Sequence, residues 1–221
     1  MSESSIRLIH LPGDDALHGR ITALLVAAFA DDRMMIKLLG QDKWGQIIDR
    51  YFRFQLDHAS HAIMAEEDDQ PVGVLLTREP GTARSSWRGL LHFIRVVRLL
   101  GRDYGASQQL AQEVSSGIPQ GPHWYINQLA VLPRCQSRGI GQRLLARLAE
   151  LAGHDQVYVD CERSLASYYE AAGFCSIRDF PDLGMVVMGM NEMLTDKHRE
   201  NHQCNSHDTE ATCPDGQDLQ G

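Results

Sequence analysis

The stretch Leu129-Ala-Val-Leu-Pro-Arg-Cys-Gln136-Ser-Arg-Gly139-Ile-Gly141-Gln-Arg-Leu144-Leu145 decides the reading of this chain. Leu129 to Leu132 is apolar and strand-like, and Pro133 stops it. A loop with two glycines follows, and Leu144 and Leu145 then open a helical pattern. The first N–H groups of a helix have no acceptor inside it. The helix dipole adds about half a positive charge at the same place. A strand–loop–helix junction of this kind suits a phosphate. Gly139 and Gly141 let the ligand approach the backbone, where a Cβ would hold it off. Gln136 adds a side-chain donor. A P-loop would continue with Lys-Ser/Thr, but Gln142-Arg143 stands there. A dinucleotide fingerprint needs a third glycine where Leu144 stands. Gly-X-Gly alone also fits a tight turn that binds nothing.

Working outward, Gly139–Ala152 reads as a helix with Leu144, Leu145, Leu148 and Leu151 on one face. His123–Leu132 is the strand before the loop, and Gln156–Cys161 is a strand after the helix. Ser164–Ala172 is a short helix ending at Gly173, and Ile177–Phe180 and Leu183–Met190 close the sheet. On the N-terminal side, Ser5–Leu11 alternates as a strand. Two helices follow, the first started by Asp14 or Asp15, the second carrying Trp44, Ile47, Ile48, Tyr51, Phe52 and Leu56. His61–Ala65 and Val72–Thr77 form a hairpin around the acidic turn Glu66–Gln70. Ser85–Leu100 is an amphipathic helix with Arg88, Arg95 and Arg102 recurring every seven residues. The expected organisation is one α/β (α+β) domain over residues 1–194, with a helical insertion at 84–116. A polar tail at 195–221 lacks apolar periodicity.

The 221 residues are 43% hydrophobic and 23% charged, which is the composition of a chain that buries a core. No run approaches the roughly 18 apolar residues of a membrane span, and the first residues lack a secretory pattern. The five cysteines are odd in number and form no disulfide framework, so a cytoplasmic setting is expected. A net charge of −8 argues against nucleic acid as a partner. The charge is uneven: the tail holds six acidic residues and two basic ones, whereas five arginines fall between Thr82 and Tyr104. His198, His202 and Cys204 in the tail have no apolar framework to fix a tetrahedral metal site, so no metal is expected.

The wider pattern Val131-X-Pro133-X-X-Gln136-X-X-Gly139-X-Gly141-X-X-Leu144-Leu145 resembles the acetyl-CoA motif of the Gcn5-related N-acetyltransferase (GNAT) family. Tyr169-Glu-Ala-Ala-Gly173-Phe174 resembles the family's second signature, Tyr-X-X-X-Gly-Phe, and His123–Val131 resembles the strand before the motif. The detailed resemblance runs from about Trp124 to Phe174. One departure is Glu162, where many members have Asn. The resemblance implies a mixed, twisted central sheet with flanking helices and a splayed strand pair that admits acetyl-CoA. The backbone of Leu129, Ala130 and Val131 would then pair with the pantetheine arm as an added strand. The amides of Gln136, Ser137, Arg138, Gly139, Ile140, Gly141 and Gln142 would hold the diphosphate. Arg134, Arg138 and Arg143 give a positive near field, and the tail's charge is screened beyond ~8 Å.

The implied reaction moves an acetyl group from acetyl-CoA directly to a primary amine. The resemblance makes Tyr169 the general acid. A phenol near pKa ~10 facing a thiol near ~8.5 donates fully only uphill by ~2 kcal/mol, so a strong hydrogen bond to the developing thiolate is the more economical role. A lysine-like acceptor of pKa ~10.4 costs ~4.6 kcal/mol to deprotonate at pH 7, so a base is useful. The strand Tyr125-Ile126-Asn127-Gln128 carries no carboxylate. Asp31, Asp32, Glu66, Glu67, His123 and Asp160 remain open as bases. Asp31, Asp32 and Asn127 are the expected acceptor contacts. A covalent path through Cys161 or Cys175, a non-catalytic acyl-CoA-binding module and a longer acyl donor are the alternatives. The acceptor is expected to be a small molecule rather than a protein, and the protein a monomer or homodimer.

Overall fold

The computed structural model describes residues 5–10, 15–33, 35–36, 40–81, 105, 109 and 112–190. The helix expected over Ser85–Leu100 and the tail after Thr195 lie outside these residues. The elements are β1 (Ser5–His10), α1 (Asp15–Phe29), α2 (Gln41–His58), β2 (His61–Glu67), β3 (Gln70–Arg78), β4 (Trp124–Val131), α3 (Ile140–Ala152), β5 (Val157–Glu162), α4 (Ala166–Glu170), β6 (Phe174–Phe180) and β7 (Met185–Met190). Short 3-10 turns at Pro133–Cys135 and Arg163–Leu165 lead into α3 and α4. The strands form one mixed sheet in the order β1-β2-β3-β4-β5-β7-β6. Only the β4–β5 pair is parallel.

The β2–β3 hairpin turns at Asp68 and Asp69, both at positive φ (49° and 60°). Paired left-handed residues match the right-handed twist of the flanking strands. Glu66 at its base is held by Arg7 and Arg20. In β3 every residue from Val72 to Thr77 is buried, Gly73 included. Because side chains alternate between faces, helices must cover both sides of the sheet centre. A Cβ on Gly73 would press on Ile140 and Leu144, so α3 seats directly on this strand. Amphipathic α2 buries Trp44, Ile47, Ile48, Phe52 and Leu56. Trp44 also ties α2 to the end of α1, its indole N–H donating to the Phe29 carbonyl at 2.9 Å.

The last helix is shorter than the sequence pattern predicts, because the chain first makes the 3-10 turn at Arg163–Leu165. Gly173 (φ 90°) ends the unit as expected. Strand β6 starts at Phe174, three residues earlier than its apolar pattern implies. Its middle residues are exposed, so they carry no alternation to read. Among the described residues no helix is long and apolar enough to cross a membrane.

Candidate functional site

The loop between β4 and α3 leaves a run of main-chain N–H groups without partners among the described residues. Ser137 sits at φ 59° and Gly139 at φ 74°, ψ 3°, which turns the chain sharply into α3. The N–H groups of Ser137, Arg138, Gly139, Ile140, Gly141 and Gln142 meet no acceptor among the described residues. The first amide tied into the helix is that of Arg143, which donates to the Gly139 carbonyl. Gln136 departs from expectation. Its amide donates to the Pro133 carbonyl at 3.3 Å, and its side chain donates to the Val131 carbonyl at 3.2 Å. Gln136 therefore braces the loop from inside. Arg138 also differs: it is clamped to Glu67 at 2.6 Å, so its charge is already neutralised and the positive near field is weaker than the sequence implies.

Gly141 is small for a reason the sequence did not show. A Cβ there would run into the Tyr168 hydroxyl, with the Val131 side chain behind it. Gln142 Nε2 donates to the Tyr168 carbonyl at 3.0 Å and so joins α3 to α4. Around Gly139 the space is open.

Strands β4 and β5 are joined at two positions only, Trp124 with Val157 and Tyr125 with Tyr158. Beyond them β4 stays on β3 through Val131, and β5 stays on β7 through Glu162. Their facing edges therefore part from Ile126 and Val159 onward. The Leu132 amide donates to the Val72 carbonyl, so by antiparallel alternation the main chain of Ala130 also faces β3. Leu129 and Val131 are the residues whose main-chain groups face the gap. The expected backbone role of Ala130 is thus corrected: its donor and acceptor belong to the ladder. A bulge lies at Asn127, which the register skips between Gln128 opposite Leu76 and Ile126 opposite Thr77.

The gap opens into a cavity of about 640 Å³, within the usual range for a small-molecule site. Asp32, Asn127, Leu129 and Tyr169 line it, whereas Asp31 is exposed and does not. One Asp32 oxygen accepts the Met35 amide at 2.7 Å, so part of this side chain caps the turn after α1. Buried Asn127 Oδ1 has no hydrogen-bond partner. Tyr169 is only 6% exposed, and burial raises its phenol pKa above the ordinary value, with nearby Cys161, Tyr168 and Asp160 adding to the effect. It remains a hydroxyl donor at any working pH. Burial, with the charges of Asp160 and Glu162, pushes the Cys161 thiol up to about 12. Its Sγ lies 3.9 Å from Met188 Sδ.

A model of the acetyltransferase (GNAT) family matches residues 27–174, most of the chain. The chain belongs to that family. This GNAT protein also matches solved structures. One, described as histone acetyltransferase HPA2 and related acetyltransferase from Corynebacterium glutamicum, has a TM-score of 0.58 at 21% identity, covering 86% of this chain and 96% of that one. Arylalkylamine N-acetyltransferase 2 from Aedes aegypti gives 0.60 at 16%, covering 85% and 99%. PH1933 from Pyrococcus horikoshii gives 0.54 at 14%, covering 85% and 98%. At these identities the likeness is one of fold. None of the curated protein sequences matches the chain. The family draws its acyl group from acyl-CoA, and the free amides and the parted strand edges fit such a ligand.

Two groups meet in the cavity of this GNAT chain: Asp160, one of the bases the sequence left open, and Tyr125, which the sequence did not single out as a site residue. The Tyr125 hydroxyl, from the last β4 residue paired with β5, donates to Asp160 Oδ1, two residues past the end of that pairing. Burial raises the Asp160 carboxyl above its ordinary pKa, and the Tyr125 bond works against that rise. Burial and the Asp160 charge hold Tyr125 itself well above the phenol range. Asp160 was legible only as one carboxylate among several, and Tyr125 only as a strand residue, because their meeting depends on where the two strands part. Among the described residues no cluster of three His, Cys, Asp or Glu could hold a metal ion.

Proposed function

We propose that this chain transfers an acetyl group from acetyl-CoA directly to a primary amine. The observation that carries the reading is the parting of β4 and β5 after Tyr125 and Tyr158, with free amides at one end and Tyr169 at the other. In this reading the main chain from Ser137 to Gln142 holds the diphosphate. The gap-facing main-chain groups of Leu129, with the amide of Val131, whose carbonyl already accepts from Gln136, hold the pantetheine arm as a missing strand would. Tyr169 lends its hydroxyl to the sulfur as negative charge develops there. Its raised pKa supports a hydrogen bond rather than full proton donation. The high pKa of Cys161 supports direct transfer, because a thiol held protonated is a poor nucleophile for an acyl-enzyme. In this reading Asp32 and Asn127, which line the same cavity, contact the acceptor.

The test is thiol release from acetyl-CoA across an amine panel, with calorimetric binding of acetyl-CoA measured in parallel. Saturable thiol release that depends on an added amine is expected. Tight acetyl-CoA binding without release on any amine would defeat the reading.

A further inference from the structure

Resting on that reading, we propose that Asp160, held by Tyr125, receives the acceptor's amino group and takes a proton from it, and that the acceptor is a small primary amine on an apolar or aromatic body. The cavity supplies three independent observations. Asp160 lies on its wall, with one oxygen fixed by the Tyr125 hydroxyl and so aimed consistently. The buried Asn127 Oδ1 is an acceptor with no donor, and an orphaned buried acceptor is costly unless a ligand satisfies it. Phe29, Tyr51, Phe52 and Ile118 provide apolar wall. An ammonium group brings three donors and a positive charge to the carboxylate end, and its organic body takes the ring-lined end. A donor-rich cation matches this distribution; an anion or a polyhydroxyl body does not.

The groups near enough to feel the Asp160 charge are Tyr125 from β4, Tyr51 from α2, Tyr169 from α4 and Cys161 on its own strand, with Glu162 acting on Cys161 as well. Arg78 of β3 lies over the Tyr125 ring at 5.2 Å. Asp32 is close enough to influence Tyr51. Strand β7 brings only Val187 opposite. A partly buried carboxyl with an upward-shifted pKa is a better proton acceptor than a surface one. The ammonium gives one proton to Asp160, and the freed nitrogen lone pair attacks the thioester carbonyl carbon. The C–N bond forms and the C–S bond breaks, its electron pair leaving on sulfur. The second nitrogen proton passes to that sulfur, and Asp160 returns its own proton to water.

Two measurements on the full chain test this. The first is calorimetric binding of 2-phenylethylamine and of uncharged 2-phenylethanol to the wild type, Asp160→Asn and Tyr125→Phe, with acetyl-CoA binding as the control for folding. The wild type should prefer the amine by about tenfold or more, and Asp160→Asn should erase that preference while acetyl-CoA affinity stays within about twofold. The second is the pH profile of kcat/KM for the same amine. Its acid limb should move to higher pH in Tyr125→Phe, because the lost hydrogen bond had favoured the carboxylate. A merely structural tyrosine would scale the profile without moving it. Failure of acetyl-CoA to bind the wild type would sink the transferase reading. Binding of acetyl-CoA with no amine preference, or with a preference unchanged in Asp160→Asn, would overturn this inference alone. Tighter binding of a lysine-bearing peptide than of 2-phenylethylamine would overturn the substrate class.

Discussion

At the head of α3, the free N–H groups from Ser137 to Gln142 come from neighbouring residues of one loop and belong to the main chain. In the cavity past the β4–β5 fork, the polar wall is made by side chains, among them Tyr125 and Asn127 from β4, Asp160 from β5 and Tyr169 from α4. The first region is open and shaped by local backbone conformation. The second is half-buried and shaped by burial and charge. Backbone donors tolerate changes of side chain as long as the turn survives, whereas the cavity depends on the chemistry of each side chain. Substitutions should therefore act on the loop through geometry and on the cavity through chemistry.

The largest effect expected falls on the frame both regions share. Leu144 is fully buried where α3 seats on β3, so Leu144→Ala should cost about 2–5 kcal/mol of unfolding free energy in a urea titration. A loss under about 1 kcal/mol would mean the helix is not anchored there. Next, Tyr169→Phe should lower kcat roughly 100-fold while leaving acetyl-CoA affinity intact. Equal losses in binding and turnover would make the side chain structural and weaken the contrast between the regions.

Gly141→Ala should weaken acetyl-CoA binding roughly tenfold, about 1.4 kcal/mol, by forcing Tyr168 away from the loop. Adding Tyr168→Phe should recover part of that loss, because the colliding hydroxyl is gone. Additive losses in that double-mutant cycle would show that the two sites do not communicate. The smallest effect belongs to Glu67→Gln, which frees Arg138 from its exposed ion pair. Acetyl-CoA binding should tighten about twofold at low ionic strength, and the gain should vanish at about 1 M salt, where screening is complete within ~3 Å. A gain that persists in salt would need another cause.

Much of the loop was legible from residues alone. Pro133, the two glycines and the leucines that follow encode strand, turn and helix within a short span, and unpaired amides follow from any helix start. Tyr169, singled out by resemblance to the family's Tyr-X-X-X-Gly-Phe signature, lies on the cavity wall. The roles of single side chains at the loop were not. Gln136 turns inward to the Val131 carbonyl, Arg138 is drawn to Glu67 on a distant hairpin, and Gly141 makes room for Tyr168. Alternation along β4 assigns the Ala130 main chain to β3, which depends on the register between strands and cannot be read from one strand.

By itself, then, the order of residues determined the glycine turn at the head of α3 and the α/β framework around it, because helix starts, glycine turns and apolar periodicity are short-range properties. Only tertiary structure decided where the strands part, that Asp160 enters the cavity and that Tyr125 holds it. Asp160 and Tyr125 stand 35 residues apart in the chain, and the burial that perturbs both exists only once sheet and helices have closed around them.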